Sequence, residues 1–140
     1  MTSAKKTILI VDDDPDIILQ LTALLEKSGY VVKSAASAAE AEEALLSVRP
    51  DLAIIDLMME EKDSGFILCH LIKRLYPGTP VMMLTAVKAA TGLTFAAGVG
   101  EEGSWLEADL LMDKPVRPEQ LRGCVRKLLA RRRKEKQVGD

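Results

Sequence analysis

Apolar residues gather in five short blocks along the chain: Thr7–Val11, Tyr30–Ala35, Leu52–Ile55, Val81–Leu84 and Leu110–Met112. Four of the five are almost continuously apolar, the pattern of strands covered on both faces in a parallel sheet. Between the blocks, apolar positions recur at helical spacing. Asp14 is placed to cap a first helix with Pro15 at its first position. Ile17, Ile18, Leu21, Leu24 and Leu25 form one stripe along it before Gly29 stops it. Ser37 and Glu40 make a capping box for a second helix, which ends ahead of Pro50. A third runs from about Ser64 to Tyr76, and Pro118 opens the last, with Leu121, Val125, Leu128 and Leu129 facing inward. The segment between the fourth and fifth strands is weakly patterned. It carries Gly92, Gly98, Gly100 and Gly103, each unfavourable inside a helix by about 1 kcal/mol relative to Ala.

Strand and helix therefore alternate as (βα)5, which predicts an α/β fold: a doubly wound, five-stranded parallel sheet with right-handed crossovers and helices on both faces. No repeat or interdomain linker interrupts it. Residues 1–140 read as a single domain with a core over about 6–129, and 130–140 as a basic helix end and frayed tail.

Composition changes this picture little. A chain of 140 residues hides roughly 68–70% of its unfolded surface when compact, and 48% apolar residues supply the material. The net charge of −2 gives the whole molecule no bias toward nucleic acid or an anionic membrane. Its basic residues are uneven, with Arg126, Lys127, Arg131, Arg132, Arg133, Lys134 and Lys136 crowding the C-terminus. Cations there suit the negative end of a helix dipole, so a solvated helix end is preferred over a nucleic-acid arm. Cys69 and Cys124 lack metal-ligand spacing and read as two buried thiols in a reducing compartment. The apolar run Ile8–Val11 stops at three aspartates, too short for a signal peptide or a membrane span. The cytoplasm is the expected location.

Ligands of doubly wound sheets bind beyond the carboxyl ends of the strands. The first strand ends in Asp12-Asp13-Asp14, the third in Asp56, the fourth in Thr85, and the fifth leads to Lys114-Pro115. Three acids at one edge repel one another unless a cation sits among them. Mg²⁺ suits the gap, because it prefers oxygen ligands and binds through one or two carboxylates while keeping several waters. Asp14, standing before Pro15, is assigned to helix capping. His70, the only histidine, falls mid-helix away from the acids and reads as a surface residue.

The succession Ile-Leu-Ile-Val-Asp-Asp-Asp-Pro, Leu-Ala-Ile-Ile-Asp-Leu-Met-Met, Met-Leu-Thr-Ala and Asp-Lys-Pro resembles the receiver domain of bacterial response regulators. The likeness covers roughly Lys6 to Leu129. It implies a flavodoxin-like strand order 2-1-3-4-5 and a two-component switch in which Asp56 accepts a phosphoryl group from a histidine kinase. Such a domain is not an enzyme in the ordinary sense but promotes its own aspartyl phosphorylation and dephosphorylation. The resemblance implies Mg²⁺ held by Asp13, Asp56 and the Met58 backbone carbonyl, with Asp12 helping through water. Thr85 would hydrogen-bond one phosphoryl oxygen and Lys114 neutralise another, while small Ala86 leaves room for the group. The implied partners are a sensor histidine kinase or phosphotransfer protein and a downstream protein target. No nucleic acid or membrane contact is expected from this chain, and the family's face for partners or a dimer is the fourth helix, fifth strand and fifth helix.

The chain departs from the family in three places. After Asp56 it lacks the usual Pro four residues on, and Glu60-Glu61-Lys62-Asp63-Ser64-Gly65 carries one residue more than expected before the Gly. The stretch from Thr85 to Lys114 is several residues longer than receivers usually have, with the excess around 96–107, including Trp105. Three residues before the Lys, where Tyr or Phe is common as a rotamer switch, stands Leu111. Rival readings are a degenerate receiver that binds without phosphate, and a fragment of a longer regulator with a DNA-binding output domain. A haloacid-dehalogenase-type phosphatase ranks below both: its nucleophile would be Asp12, but no acidic pair follows Lys114.

Overall fold

The computed structural model describes residues 5–57, 64–85, 108–114 and 116–139, and of 131–139 the backbone alone. Five parallel strands form one sheet: β1 (Thr7–Val11), β2 (Val31–Ala35), β3 (Leu52–Asp56), β4 (Val81–Thr85) and β5 (Leu110–Asp113), in the order β2-β1-β3-β4-β5. Three helices, α1 (Pro15–Lys27), α2 (Ala38–Leu45) and α3 (Ser64–Leu75), connect the first four strands. A C-terminal helix, α4 (Pro118–Gly139), follows β5. The weakly patterned segment before β5, with its glycines, Phe95 and Trp105, lies outside the described residues, as do Met58 and the 58–63 loop.

Period-two alternation divides the core between the sheet's two faces. Leu9, Val11, Ala53, Ile55, Val81 and Met83 point to the side carrying α2 and α3, where Ala41, Leu45, Leu68, Cys69 and Ile72 meet them. Ile8, Ile10, Leu52, Ile54, Met82 and Leu84 point to the other, against Leu21 and Leu25 of α1 and Leu121, Val125 and Leu128 of α4. β3 and β4 are buried along their whole length. The edge strands are not: most of β2 is exposed, and Leu110 and Leu111 of β5 are only half-buried. Leu110–Met112 thus departs from the expectation of a strand covered on both faces, because an edge strand has a neighbour on one side only.

Local chemistry sets the boundaries. The Asp14 carboxylate accepts the Asp16 N–H at 2.9 Å, capping α1 as expected. At the other end Gly29 takes φ 98°, a left-handed conformation that costs glycine little. The Gly29 N–H then reaches the Glu26 carbonyl and the Tyr30 N–H the Leu25 carbonyl, both at 3.0 Å. Tyr30 is consequently spent on closing the helix, and β2 begins one residue later than its apolar pattern suggests. The Ser37 hydroxyl accepts the Glu40 N–H, but the Glu40 carboxylate reaches back to the Ala36 N–H rather than to that of Ser37. α4 continues to Gly139 instead of fraying beyond its last inward residue. Cys69 is buried as expected, whereas Cys124 is partly exposed.

Candidate functional site

The carboxyl ends of β1, β3, β4 and β5 bring Asp12, Asp13, Asp56, Thr85 and Lys114 to one edge of the sheet. β1 and β3 are adjacent, with Val11 opposite Ile55, so the residues that follow, Asp12 and Asp56, emerge side by side. Carboxylate oxygens of Asp12, Asp13 and Asp56 all lie within 4.8 Å of one another. Asp12 is 1% exposed and Asp56 5%, while Asp13 faces solvent. Buried carboxylates this close demand a compensating charge. Lys114 supplies one, its Nζ 3.1 Å from Asp12 Oδ2 and 3.4 Å from Asp56 Oδ1.

The Lys114 ammonium is correspondingly held in its charged form. Burial alone lowers its pKa, but the Asp12 hydrogen bond and the nearby Asp56 and Asp12 charges outweigh it and leave the value above the ordinary 10.5. Asp12 is fully engaged, since its Oδ1 accepts the Asp14 N–H at 2.9 Å while Oδ2 accepts from Lys114. That bond lays the three-aspartate turn against the start of α1 and leaves Asp13 projecting outward.

Backbone hydrogen bonds tie the strand ends together laterally. The Leu57 N–H donates to the Leu84 carbonyl and the Lys114 N–H to the Thr85 carbonyl, each at 2.7 Å. Thr85 closes β4 and is buried. Asp56, Thr85 and Lys114 therefore sit on one continuous row of backbone across β3, β4 and β5. His70 is exposed on α3, as expected.

The acids also meet a simple test for a hard divalent ion. Oxygens sharing one octahedral Mg²⁺, at about 2.0–2.1 Å each, stand about 3 to 4 Å apart. Carboxylates already gathered within 4.8 Å need only small side-chain rotations to meet that requirement.

Two features, one at this edge and one at the opposite ends of β4 and β5, were not evident from the sequence. Gly65, near the start of α3, packs directly on the backbone of Asp56 and Leu57. The only signal was a glycine following the third strand's acid, in a loop of unusual length. Lys73 of α3 reaches Asp109 at 2.7 Å and the Thr79 carbonyl at 3.0 Å, and Asp109 also accepts the Val81 N–H. This knot fixes where the chain re-enters the sheet as β5. Its partners are too distant in sequence for local reasoning to pair them.

Comparison with known proteins agrees with this geometry. Residues 8–126 match the response regulator receiver domain. The chain is 35% identical to the response regulator Rre1 of Synechocystis, over 96% of this chain and 56% of that protein. It is 34% identical to the alkaline phosphatase synthesis transcriptional regulatory protein PhoP of Bacillus subtilis, over 90% of this chain and 49% of that one. It thus spans about half the length of the curated relatives it matches. A CheY-like receiver domain protein from Methanospirillum hungatei superposes with a TM-score of 0.79 at 30% identity, covering 94% of this chain and 99% of that one. The response regulator TrrA of Thermotoga maritima, solved in complex with Mg²⁺-BeF, superposes with a TM-score of 0.71 at 28% identity, covering 88% and 98%. Sequence and fold lead to the same place: the chain belongs to the receiver-domain family of the response regulators of two-component systems.

Proposed function

We propose that Asp56 is the acceptor of a phosphoryl group and that its phosphorylation is the event by which this chain signals. The observation that carries the reading is the juxtaposition of one lysine with three acids. A surface ion pair would need one carboxylate, whereas Lys114 stands against two buried ones with a third, solvent-facing acid beside them. An Asp56 oxygen attacks phosphorus, and the bond from phosphorus to the imidazole nitrogen of a donor phosphohistidine breaks, leaving the donor histidine free. Positioning and charge neutralisation supply most of what such a transfer needs.

Asp13 and Asp56 would hold Mg²⁺ directly, Asp12 would act through water, and the Met58 carbonyl belongs to the same proposed set. When bound, the metal supplies positive charge for the transferring oxygens. Lys114 gives a second positive charge to a phosphoryl oxygen, and the Thr85 hydroxyl donates to another. The acyl phosphate on Asp56 draws Lys114 away from the carboxylates it now pairs with, and its new acceptor oxygens pull on Thr85. Hydrolysis of the acyl phosphate at the same site returns the chain to its resting state.

The donor is a sensor histidine kinase or a phosphotransfer protein, met in the cytoplasm. Relatives of about twice the length include a protein named as a DNA-binding response regulator, MtrA of Mycolicibacterium smegmatis. A DNA-binding output partner or attached domain is accordingly the first class of downstream target to test. Among the described residues no helix is long and apolar enough to cross a membrane. The deciding experiment is intact-mass analysis after incubation with acetyl phosphate and Mg²⁺. Wild type should gain one phosphoryl group and Asp56→Asn none; labelling that persists in Asp56→Asn, or moves to Asp12, refutes the assignment.

A further inference from the structure

Gly65 is the second residue of α3 and lies buried against the end of β3. A β-carbon placed on it would stand 2.8 Å from the carbonyl oxygens of both Asp56 and Leu57, and 2.9 Å from Leu57 Cα. These are backbone atoms, so no side-chain rotation relieves the overlap. Gly65 has no positive φ to explain it, and in ordinary helical backbone alanine is the better residue. The close approach is what remains to explain a glycine here.

Neither side of this contact is free to retreat. Behind Asp56 the Leu57 N–H is bonded to the Leu84 carbonyl at 2.7 Å, and Asp56 is paired with Leu84 in the sheet. Behind Gly65, the buried Leu68, Cys69 and Ile72 hold α3 to the core. Relieving the overlap needs a shift of roughly half an ångström, and functional constellations tolerate about that much before binding suffers. The displaced backbone would be that of Asp56 itself.

We propose that Gly65 is a positioning residue for Asp56: the missing side chain lets α3 seat flush on the 56–57 backbone and so sets the acceptor carboxylate against Asp13 and Lys114. The inference rests on Asp56 being the acceptor. It assigns to Gly65 a role in metal and phosphoryl binding rather than in helix formation alone.

The test compares wild type with Gly65→Ala, Gly123→Ala, Leu68→Ala and Asp56→Asn, by Mg²⁺ titration, acetyl phosphate labelling and thermal unfolding. Gly123 is a helical glycine with open space where a β-carbon would go, so Gly123→Ala should bind Mg²⁺ as wild type does. Leu68→Ala loosens α3 without adding an atom near Asp56; it should unfold at lower temperature yet keep Mg²⁺ affinity within about twofold. Gly65→Ala should lose roughly tenfold or more in Mg²⁺ affinity and label more slowly, as small misplacements in such sites do. Wild-type binding in Gly65→Ala, or a loss no greater than that of Leu68→Ala, overturns the positioning role. If Asp56→Asn itself retains Mg²⁺ binding and labelling, the acceptor assignment fails instead. Should Gly65→Ala not fold, wild type still decides: Mg²⁺ should shift the Gly65 amide resonance and leave that of Gly123 in place, and an unmoved Gly65 amide overturns the proposal.

Discussion

Replacing Lys114 by Met keeps most of the aliphatic stem and removes the one cation that the described residues place among three acids. The ammonium lies 3.1 Å from Asp12 Oδ2 and 3.4 Å from Asp56 Oδ1, and the three side chains are 17%, 2% and 6% exposed. At an effective dielectric near 20, each pair attracts by about 5 kcal/mol before desolvation is charged against it. Breaking a buried pair from one side costs about 3–5 kcal/mol, because the surviving charge is stranded. Solvent-facing Asp13 admits water at the edge of the cluster, so the lower figure applies. Without metal, Lys114→Met should lose about 3 kcal/mol of stability, measured by urea unfolding in chelator.

The same substitution should strengthen Mg²⁺ binding, since a positive charge competing for the same carboxylates is gone. An affinity gain of about tenfold is the expected scale for one nearby, partly solvated charge. The pH dependence has a definite sign. The folded pKa of Lys114 is raised above 10.5, so its stabilisation is complete below that value and is lost as pH rises through the folded pKa. The stability difference between wild type and Lys114→Met should thus be flat from neutral pH to about 10.5 and shrink above it. Equal stability in chelator together with unchanged Mg²⁺ affinity would refute the reading of Lys114 as the counter-charge of this site.

Asp13→Asn should abolish measurable Mg²⁺ binding by calorimetry while the fold persists, and should slightly stabilise the metal-free protein by relieving repulsion. Thr85→Ala should still accept phosphate on Asp56 but show a smaller beryllofluoride-induced change in amide chemical shifts than wild type; an identical response excludes Thr85 from the switch. Asp109→Asn should cost about 1–3 kcal/mol in thermal or urea unfolding, because it weakens the bond to Lys73 at the start of β5. Leu111→Tyr should leave acetyl phosphate labelling intact, since Leu111 packs with the α2–α3 face of the core rather than at the acids.

Much of this architecture is readable from one sequence because β1, β3 and β4 are covered on both faces. Continuous apolar runs bounded by acids leave few alternatives to a parallel sheet, and the ligand-edge rule then collects Asp12, Asp13, Asp56, Thr85 and Lys114. The misreadings have local causes. Tyr30 looks like strand by polarity, yet its N–H completes the α1 terminus at the Leu25 carbonyl. The basic tail looks like frayed chain by charge, but Arg, Lys, Glu and Gln are good helix formers and α4 runs through them. The seat of Gly65 and the Lys73–Asp109 knot depend on contacts between elements, which polarity and spacing do not encode.

With Asp56 as the proposed acceptor, leucine rather than an aromatic ring at position 111 narrows how the phosphoryl group would be sensed. A tyrosine there could trade a buried hydroxyl for an exposed one, whereas leucine offers no polar group to exchange. What the described residues offer in its place is covalent and hydrogen-bonded continuity. Asp56 is joined to β4 through the Leu57 N–H and the Leu84 carbonyl, and Thr85 to the Lys114 N–H through its own carbonyl. A pull on the Thr85 hydroxyl or the Lys114 ammonium would act on two peptide units joined to each other at the carboxyl ends of β4 and β5. Those units carry the chain directly into residues 86–107 on one side and toward α4 on the other. On that proposed reading the site needs no rotating ring to reach either segment, because Thr85 and Lys114 are joined by a backbone hydrogen bond.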